Sequence, residues 1–253
     1  MQSPLLTFVL LLTAVFVTAA DADEPKPGQQ VAQEFQNPKA PELKLGYLLY
    51  LPQNYGQTKE SFPLLLFLHG SGERGQDISQ VKKHGPPKLI GQGQQMPFVV
   101  VSPQCPDKQR WEPDLLLALL DDLAKKYSID STRVYVTGLS MGGSGTWGLV
   151  IAAPDRFAAA IPICGRTGDL SFVDDASKLS VIDQASKLPI WIVVGDRDNK
   201  QLVENCLEVE KQLQERQADV KLTIMHGVGH DSWTQTYATP EIYEWLLRHR
   251  KAK

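Results

Sequence analysis

Short, continuously apolar runs alternate along the chain with longer segments in which apolar residues recur every three or four positions. The apolar runs predict strands buried on both faces, and the second pattern predicts amphipathic helices. This alternation predicts an α/β fold with a mostly parallel central sheet and helices on both faces. Strands are expected at 43–51, 63–69, 97–103, 133–138, 157–163, 189–194 and 220–225, and helices at 111–127, 202–216 and 240–248.

One strand and the helix after it are separated only by the sequence Gly138-Leu139-Ser140-Met141-Gly142. In a G-x-S-x-G turn the glycines let the strand and the helix approach closely while the serine backbone is held under strain. Its hydroxyl then stands clear of both elements. The pattern predicts Ser140 as a nucleophile, and the simpler alternative is a serine that only caps the helix.

A serine nucleophile needs an imidazole as base and a carboxylate to orient that imidazole. Of the five histidines, His230 follows the last predicted strand in a Gly-x-Gly-His turn late in the chain, so it is the expected base. His226 ends that strand, and we expect it to be a packed or surface residue. Asp196 and Asp198 both follow the strand at 189–194. We expect Asp198 to be the acid because its turn leads back toward the histidine loop, and Asp196 is the alternative.

The glycine-rich segment 69–75 follows the predicted strand 63–69. Glycines there can present backbone N–H groups to an oxyanion. We expect the donors to be the N–H groups of Ser71, with Gly72 next, and Met141.

Three tryptophans lie near predicted strand ends or in the segment that follows the Ser140 turn. Trp111 and Trp233 are expected to line the substrate pocket, and Trp147 is expected in the core.

The composition favours one globular domain in the 253 residues. Lys and Arg total 26 against 29 acidic residues, so the sequence gives no reason to expect a nucleic-acid partner. No cysteine or histidine spacing indicates a metal site, and the expected chemistry requires no cofactor. The sequence does not specify an oligomeric state.

The first 22 residues resemble a secretory signal peptide. The apolar run 5–20 is short for a membrane span and precedes small residues suited to cleavage. Met1 to Pro4 contain no Lys or Arg, so a retained anchor is the alternative. We expect a signal peptide at 1–22, a flexible lead-in at 23–41 and a catalytic domain at 42–253, secreted or periplasmic, without stable membrane insertion after cleavage.

The sequence leaves open the disulfide pairing and the structure of one polar segment. Cys105, Cys164 and Cys206 allow at most one disulfide within the chain, and the sequence does not choose the pair. The polar segment 165–188 has only a modest apolar component, so we expect a small cap over the site or a plain loop.

Several segments together resemble the α/β-hydrolase superfamily, and more narrowly secreted bacterial esterases of the phospholipase/carboxylesterase and dienelactone-hydrolase-like group, which includes predicted peptidases and relatives of feruloyl esterases. These segments are 69–75, His84-Gly85-Pro86-Pro87, 103–106, the serine turn and 229–233. The resemblance implies Ser140, Asp198 and His230 as a triad, and hydrolysis of small-molecule or polysaccharide-linked carboxylic esters. The alternatives are a peptidase of the prolyl-oligopeptidase type and a catalytically silent binding module.

Overall fold

The computed structural model of the protein describes residues 25–167 and 181–251. The predicted signal peptide at 1–22 and the middle of the predicted cap, 168–180, lie outside the described residues. In the part of the chain that is described, none of the helices is both long enough and apolar enough to cross a bilayer.

Within residues 25–167 and 181–251, eight strands form one sheet in the order β1-β2-β4-β3-β5-β6-β7-β8. The strands from β4 to β8 in this order are parallel, whereas β1 and β2 are antiparallel to their neighbours. The mostly parallel sheet is therefore confirmed. The strands are β1 (Gln30–Gln36), β2 (Lys44–Tyr50), β3 (Phe62–Leu68), β4 (Val99–Pro103), β5 (Ile129–Leu139), β6 (Ala159–Ile163), β7 (Ile190–Gly195) and β8 (Val220–Met225).

Strand β1 corrects the expectation of a flexible lead-in at 23–41. Its sequence is mostly polar, and Phe35 is its one buried side chain. An edge strand needs few apolar residues because main-chain hydrogen bonds to β2 hold it. This pairing explains why the hydrophobic pattern did not predict β1.

Besides a helical segment at 181–185, six described α-helices connect or flank the strands. They are α1 (Gly85–Gly91), α2 (Pro113–Lys126), α3 (Met141–Ala152), α4 (Lys200–Glu215), α5 (Trp233–Ala238) and α6 (Pro240–Arg248). The predictions at 111–127, 202–216 and 240–248 are confirmed to within two residues at every end. The short helix α5 was not predicted.

The core follows the continuous apolar runs. Every residue of β3, β4, β6 and β7 is buried, which requires cover on both faces of the sheet. Trp147 lies in this core, as expected.

Strand β8 closes the sheet, and its residues are only partly buried. The ammonium group of Lys221 lies 3.4 Å from the ring centre of Trp191 on β7 and 2.9 Å from a carboxylate oxygen of Glu241.

With this strand order, the loops after β3, β5, β7 and β8 all leave the sheet at the same end.

Candidate active site

Ser140 occupies a sharp turn between β5, which ends at Leu139, and α3, which begins at Met141. Its φ and ψ angles are 54° and −113°, in a region that side chains rarely adopt. The turn depends on Gly142, because a Cβ atom there would lie 1.9 Å from the carbonyl oxygen of Leu68. Helix α3 therefore starts directly against the end of β3, and the serine is held at the carboxyl edge of the sheet.

His230 lies on the loop after β8 and links the serine to a carboxylate. Its Nε2 atom is 2.8 Å from the Oγ atom of Ser140, and its Nδ1 atom is 2.7 Å from Oδ2 of Asp198. Because a carboxylate only accepts, the Nδ1–H group donates to Asp198 and leaves Nε2 free to accept from the serine hydroxyl. The side chain of Asp198 is 5% exposed and that of His230 is 48% exposed, so the expected base lies at an open rim.

Asp196, the alternative acid, faces another histidine. Its Oδ1 atom accepts a hydrogen bond from the N–H of Gly227 at 2.8 Å, and Oδ2 lies 3.2 Å from Nδ1 of His226. The hydrogen bond from His226 is the main cause of the lowered pKa of Asp196. Asp196 thus fixes the turn after β8, and the structure brings Asp198, not Asp196, to His230.

The two loops that carry Asp198 and His230 touch at Gly195. A Cβ atom at this position would lie 2.2 Å from the carbonyl oxygen of Val228 and 2.4 Å from that of Gly229. Only a residue without a side chain allows this approach, and the approach brings Asp198 within reach of the histidine loop.

The two expected oxyanion donors both begin helices. Met141 is the first residue of α3, and Ser71 is the first residue of a 3₁₀ helix, Ser71–Glu73. The first N–H groups of a helix have no acceptor within it, so both are free of intrahelical bonds. The loop that carries Ser71 lies against the turn at Ser140, because a Cβ atom on Gly70 would be 2.8 Å from Cδ1 of Leu139.

His69 anchors the start of this loop from inside the protein. It is fully buried, its Nδ1–H donates to the carbonyl oxygen of Gly70 at 2.6 Å, and its Nε2 accepts from the N–H of Cys105 at 3.0 Å. Burial lowers the pKa of His69 to about 4, so the ring is neutral. The main-chain position of the loop is therefore fixed at Gly70, next to Ser71.

The two tryptophans expected in the substrate pocket differ in position. Trp111 is 8% exposed, its indole N–H donates to the carbonyl oxygen of His69 at 3.1 Å, and it lies beneath the loop. Trp233 is partly buried, and its ring meets that of His230 edge to face, with centroids 5.4 Å apart. The structure brings Trp233 to His230, whereas Trp111 supports the loop from below.

Cys164 lies close to Asp198 and His230. Its Sγ atom and ligand atoms of Asp198 and His230 are all within 4.8 Å of one another, a spacing that a metal ion could bridge. The hydrogen bond between Asp198 and His230 accounts for their positions without an ion. Burial raises the pKa of Cys164 to about 12, and all three cysteines are buried and free.

Sequence reasoning assigned no role to Glu73, His84 or Cys164. The structure places Glu73 near His84, His84 near Trp233, and Cys164 near Asp198. Glu73 and His84 stood in the motifs that carried the resemblance, and that was their only signal. No sequence signal pointed to Cys164, because its position near Asp198 depends on β6 ending between β5 and β7.

The chain matches the Esterase family model, described as "Putative esterase", over residues 39–234. A curated relative, the bifunctional acetylxylan esterase/xylanase XynS20E of Neocallimastix patriciarum, is 30% identical over 170 residues, or 63% of this chain. The chain spans 23% of that relative's length. Another, poly(3-hydroxyalkanoate) depolymerase C of Paucimonas lemoignei, is 47% identical over 47 residues, which are 19% of this chain and 11% of the relative.

Solved structures show the same fold. A thermostable esterase superposes with a TM-score of 0.71 and 31% identity, covering 88% of this chain and 63% of that one. The feruloyl esterase module of Clostridium thermocellum superposes with a TM-score of 0.64 and 16% identity, covering 88% and 89%. The expected resemblance is confirmed: the chain belongs to the esterase family within the α/β-hydrolase superfamily.

Proposed function

We propose that the protein is a secreted serine hydrolase that cleaves carboxylic esters through an acyl-enzyme on Ser140. The observation that carries this proposal is the pair of contacts at His230, 2.8 Å to the serine hydroxyl and 2.7 Å to the Asp198 carboxylate. An imidazole held between a hydroxyl and a carboxylate can remove the hydroxyl proton while the carboxylate stabilises the imidazolium that forms.

The reaction proceeds in two halves. The Oγ atom of Ser140 attacks the ester carbonyl as Nε2 of His230 takes its proton, and the N–H groups of Ser71 and Met141 stabilise the oxyanion. His230 then protonates the leaving alcohol. Water attacks the acyl-enzyme by the same route in reverse, with His230 again as the base, and releases the carboxylic acid.

We propose polysaccharide-linked esters as the natural substrate class, with smaller esters also accepted. Two features support this choice: the relative named as an acetylxylan esterase, and a base whose side chain is 48% exposed at the rim. With the base at an open rim, an ester attached to a bulky chain can reach the hydroxyl of Ser140. Trp233, beside His230, is the proposed contact for the substrate, and Trp111 supports the loop that carries Ser71.

Secretion is part of the proposal and depends on the sequence. The apolar run at 5–20 followed by small residues supports export to the periplasm or the medium. Expression of the full chain, followed by N-terminal sequencing of the exported protein, tests this part. A mature N-terminus near residue 23 is expected, and an intact N-terminus in the membrane fraction would contradict it.

The test of the chemistry is labelling of purified protein with a fluorophosphonate probe, followed by peptide mapping. We expect the label on Ser140 and no turnover of p-nitrophenyl acetate by Ser140→Ala. An unlabelled Ser140, or a Ser140→Ala variant with full activity, would overturn the proposal. A panel of acetyl-xylan, feruloyl esters and a peptide anilide then separates the esterase from the alternative peptidase, and no turnover of any of these would favour a binding module.

A further inference from the structure

Glu73 is a nearly buried carboxylate beside the loop that carries Ser71. Its side chain is 8% exposed. The nearest basic atom is Nε2 of His84, 3.8 Å from Oε1. Its Oε2 atom lies 3.2 Å from the place a Cβ of Gly70 would take, so the carboxylate lies against the main chain of the loop.

A carboxylate in this position is costly unless a partner compensates for the lost solvent. His84 is the available partner, and its tautomer can be assigned from its other contact. The indole N–H of Trp233 donates to Nδ1 of His84 at 3.3 Å, so Nδ1 carries no proton. In the neutral ring the proton is then on Nε2, the atom that faces Glu73.

Trp233 joins this pair to the proposed base. The rings of His84 and Trp233 meet edge to face with centroids 5.6 Å apart, and the rings of Trp233 and His230 do so at 5.4 Å. A continuous series of contacts therefore runs from Gly70 through Glu73, His84 and Trp233 to His230. It connects the loop of an expected oxyanion donor to the loop of the base.

We propose that Glu73 and His84 are positioning residues that hold Trp233, and through it the imidazole of His230, in the reactive orientation. This inference rests on the proposed function, because it assigns these side chains a role in the same reaction. The imidazole needs such support because it is half exposed, and because Asp198 and Ser140 contact only its two nitrogen atoms. Contact with Trp233 limits how far the ring can turn out of line.

The chain offers a matched pair of variants at His84. Asparagine there keeps an oxygen near the position of Nδ1, which can accept from Trp233, but loses the donor toward Glu73. Glutamine places its amide near the position of Nε2 and keeps that donor, but loses the acceptor. Glu73→Gln removes the charge at nearly constant shape, Trp233→Phe keeps a ring without the N–H group, and Glu60→Gln, at an exposed position, is the control.

The experiment measures kcat and KM for p-nitrophenyl acetate per site titrated with a fluorophosphonate, with the unfolding temperature of each variant. We expect Glu73→Gln, His84→Asn and His84→Gln each to lower kcat about 10-fold with KM within about 2-fold. The double variant Glu73→Gln/His84→Asn should lose no more than either single variant, because both break one series of contacts. Trp233→Phe should lower kcat about 3-fold or more, and Glu60→Gln should match the wild type.

Two results would overturn the inference. One is a kcat per titrated site within about 2-fold of the wild type for both Glu73→Gln and His84→Asn, even if their unfolding temperatures fall. The other is a double variant whose loss equals the product of the single losses, which would mean that the residues act independently. If wild-type Ser140 is labelled and turns over ester, these results reject the positioning role alone. If it is not, the proposed function fails first.

Discussion

The Nε2 atom of His230 lies 2.8 Å from the Oγ atom of Ser140, although 90 positions separate the two residues in the chain. The contact exists because β5 and β8 end at the same edge of the sheet, with β6 and β7 between them. The loop after β7 fills this interval and supplies the carboxylate.

Replacing the two aspartates of the β7 turn by asparagine should have very different effects. Asp198→Asn removes the charge that orients and stabilises the imidazole, so kcat should fall by roughly 10³ to 10⁴. Asp196→Asn disturbs only the contacts with His226 and Gly227 and should cost less than about 10-fold. Ester hydrolysis by both purified variants checks this, and a greater loss in Asp196→Asn would reverse the assignment of the acid.

Two glycines of α3 provide a matched test of the close approach between α3 and β3 at the Ser140 turn. Gly142→Ala forces a methyl group to within 1.9 Å of a carbonyl oxygen, so it should destabilise the protein by more than about 3 kcal/mol or prevent folding. At Gly148 the nearest atom is 3.7 Å from the added methyl group, so alanine should stabilise by about 0.5 to 1 kcal/mol. Urea unfolding measures both variants. Similar free energies of unfolding would contradict the close approach of α3 and β3.

Stability should decrease on acidification because His69 is buried in its neutral form. Its pKa is lowered from 6.5 to about 4 in the folded protein, so the unfolded chain binds the extra proton first as the pH falls. The contribution of neutral His69 to the free energy of unfolding is complete above pH 6.5 and is lost progressively as the pH falls toward 4.

The variant His69→Gln isolates this contribution from that of the carboxylates. The free energy of unfolding should fall between pH 7 and pH 4.5 by roughly 2 to 3 kcal/mol less in the variant than in the wild type. Urea unfolding at the two pH values measures it. Equal pH dependence in the two proteins would show that folding does not lower the pKa of His69.

The thiols should be inert in the native protein. Burial raises the pKa of Cys105 to about 11 and those of Cys164 and Cys206 to about 12, so thiolate is scarce at pH 8. A chromogenic disulfide reagent should react with all three thiols in denaturant and with none rapidly in the native protein. Rapid native reaction at Cys164, with loss of ester hydrolysis, would contradict its burial.

The hydrophobic pattern predicted the elements that are deeply buried, because buried positions are the ones that carry apolar residues. Strands β3 and β7 are buried at every position and were found as continuous apolar runs. Strand β1 was not, because main-chain pairing holds it and its sequence is mostly polar. Helix α5 has six residues, too few for a periodic pattern to appear.

Candidate site residues could be predicted where a turn motif marks them. Ser140 and His230 each adjoin glycines at a strand end, which a sequence shows. The choice between Asp196 and Asp198 depends on which loop each side chain faces, and that direction is a property of the packed turns. The pairing of Glu73 with His84 depends on how the chain folds between them, which no local pattern encodes.

The position of Lys221 has a consequence for how molecules of this protein behave at high concentration. Within the described residues, β8 is the last strand of the sheet, so its outer main-chain groups have no further strand to pair with. A lysine on an edge strand disfavours pairing with a second copy, because its charge would lose solvent beside the new strand. This single charge therefore disfavours fibril-like stacking, and redesign of the surface for solubility should leave it in place.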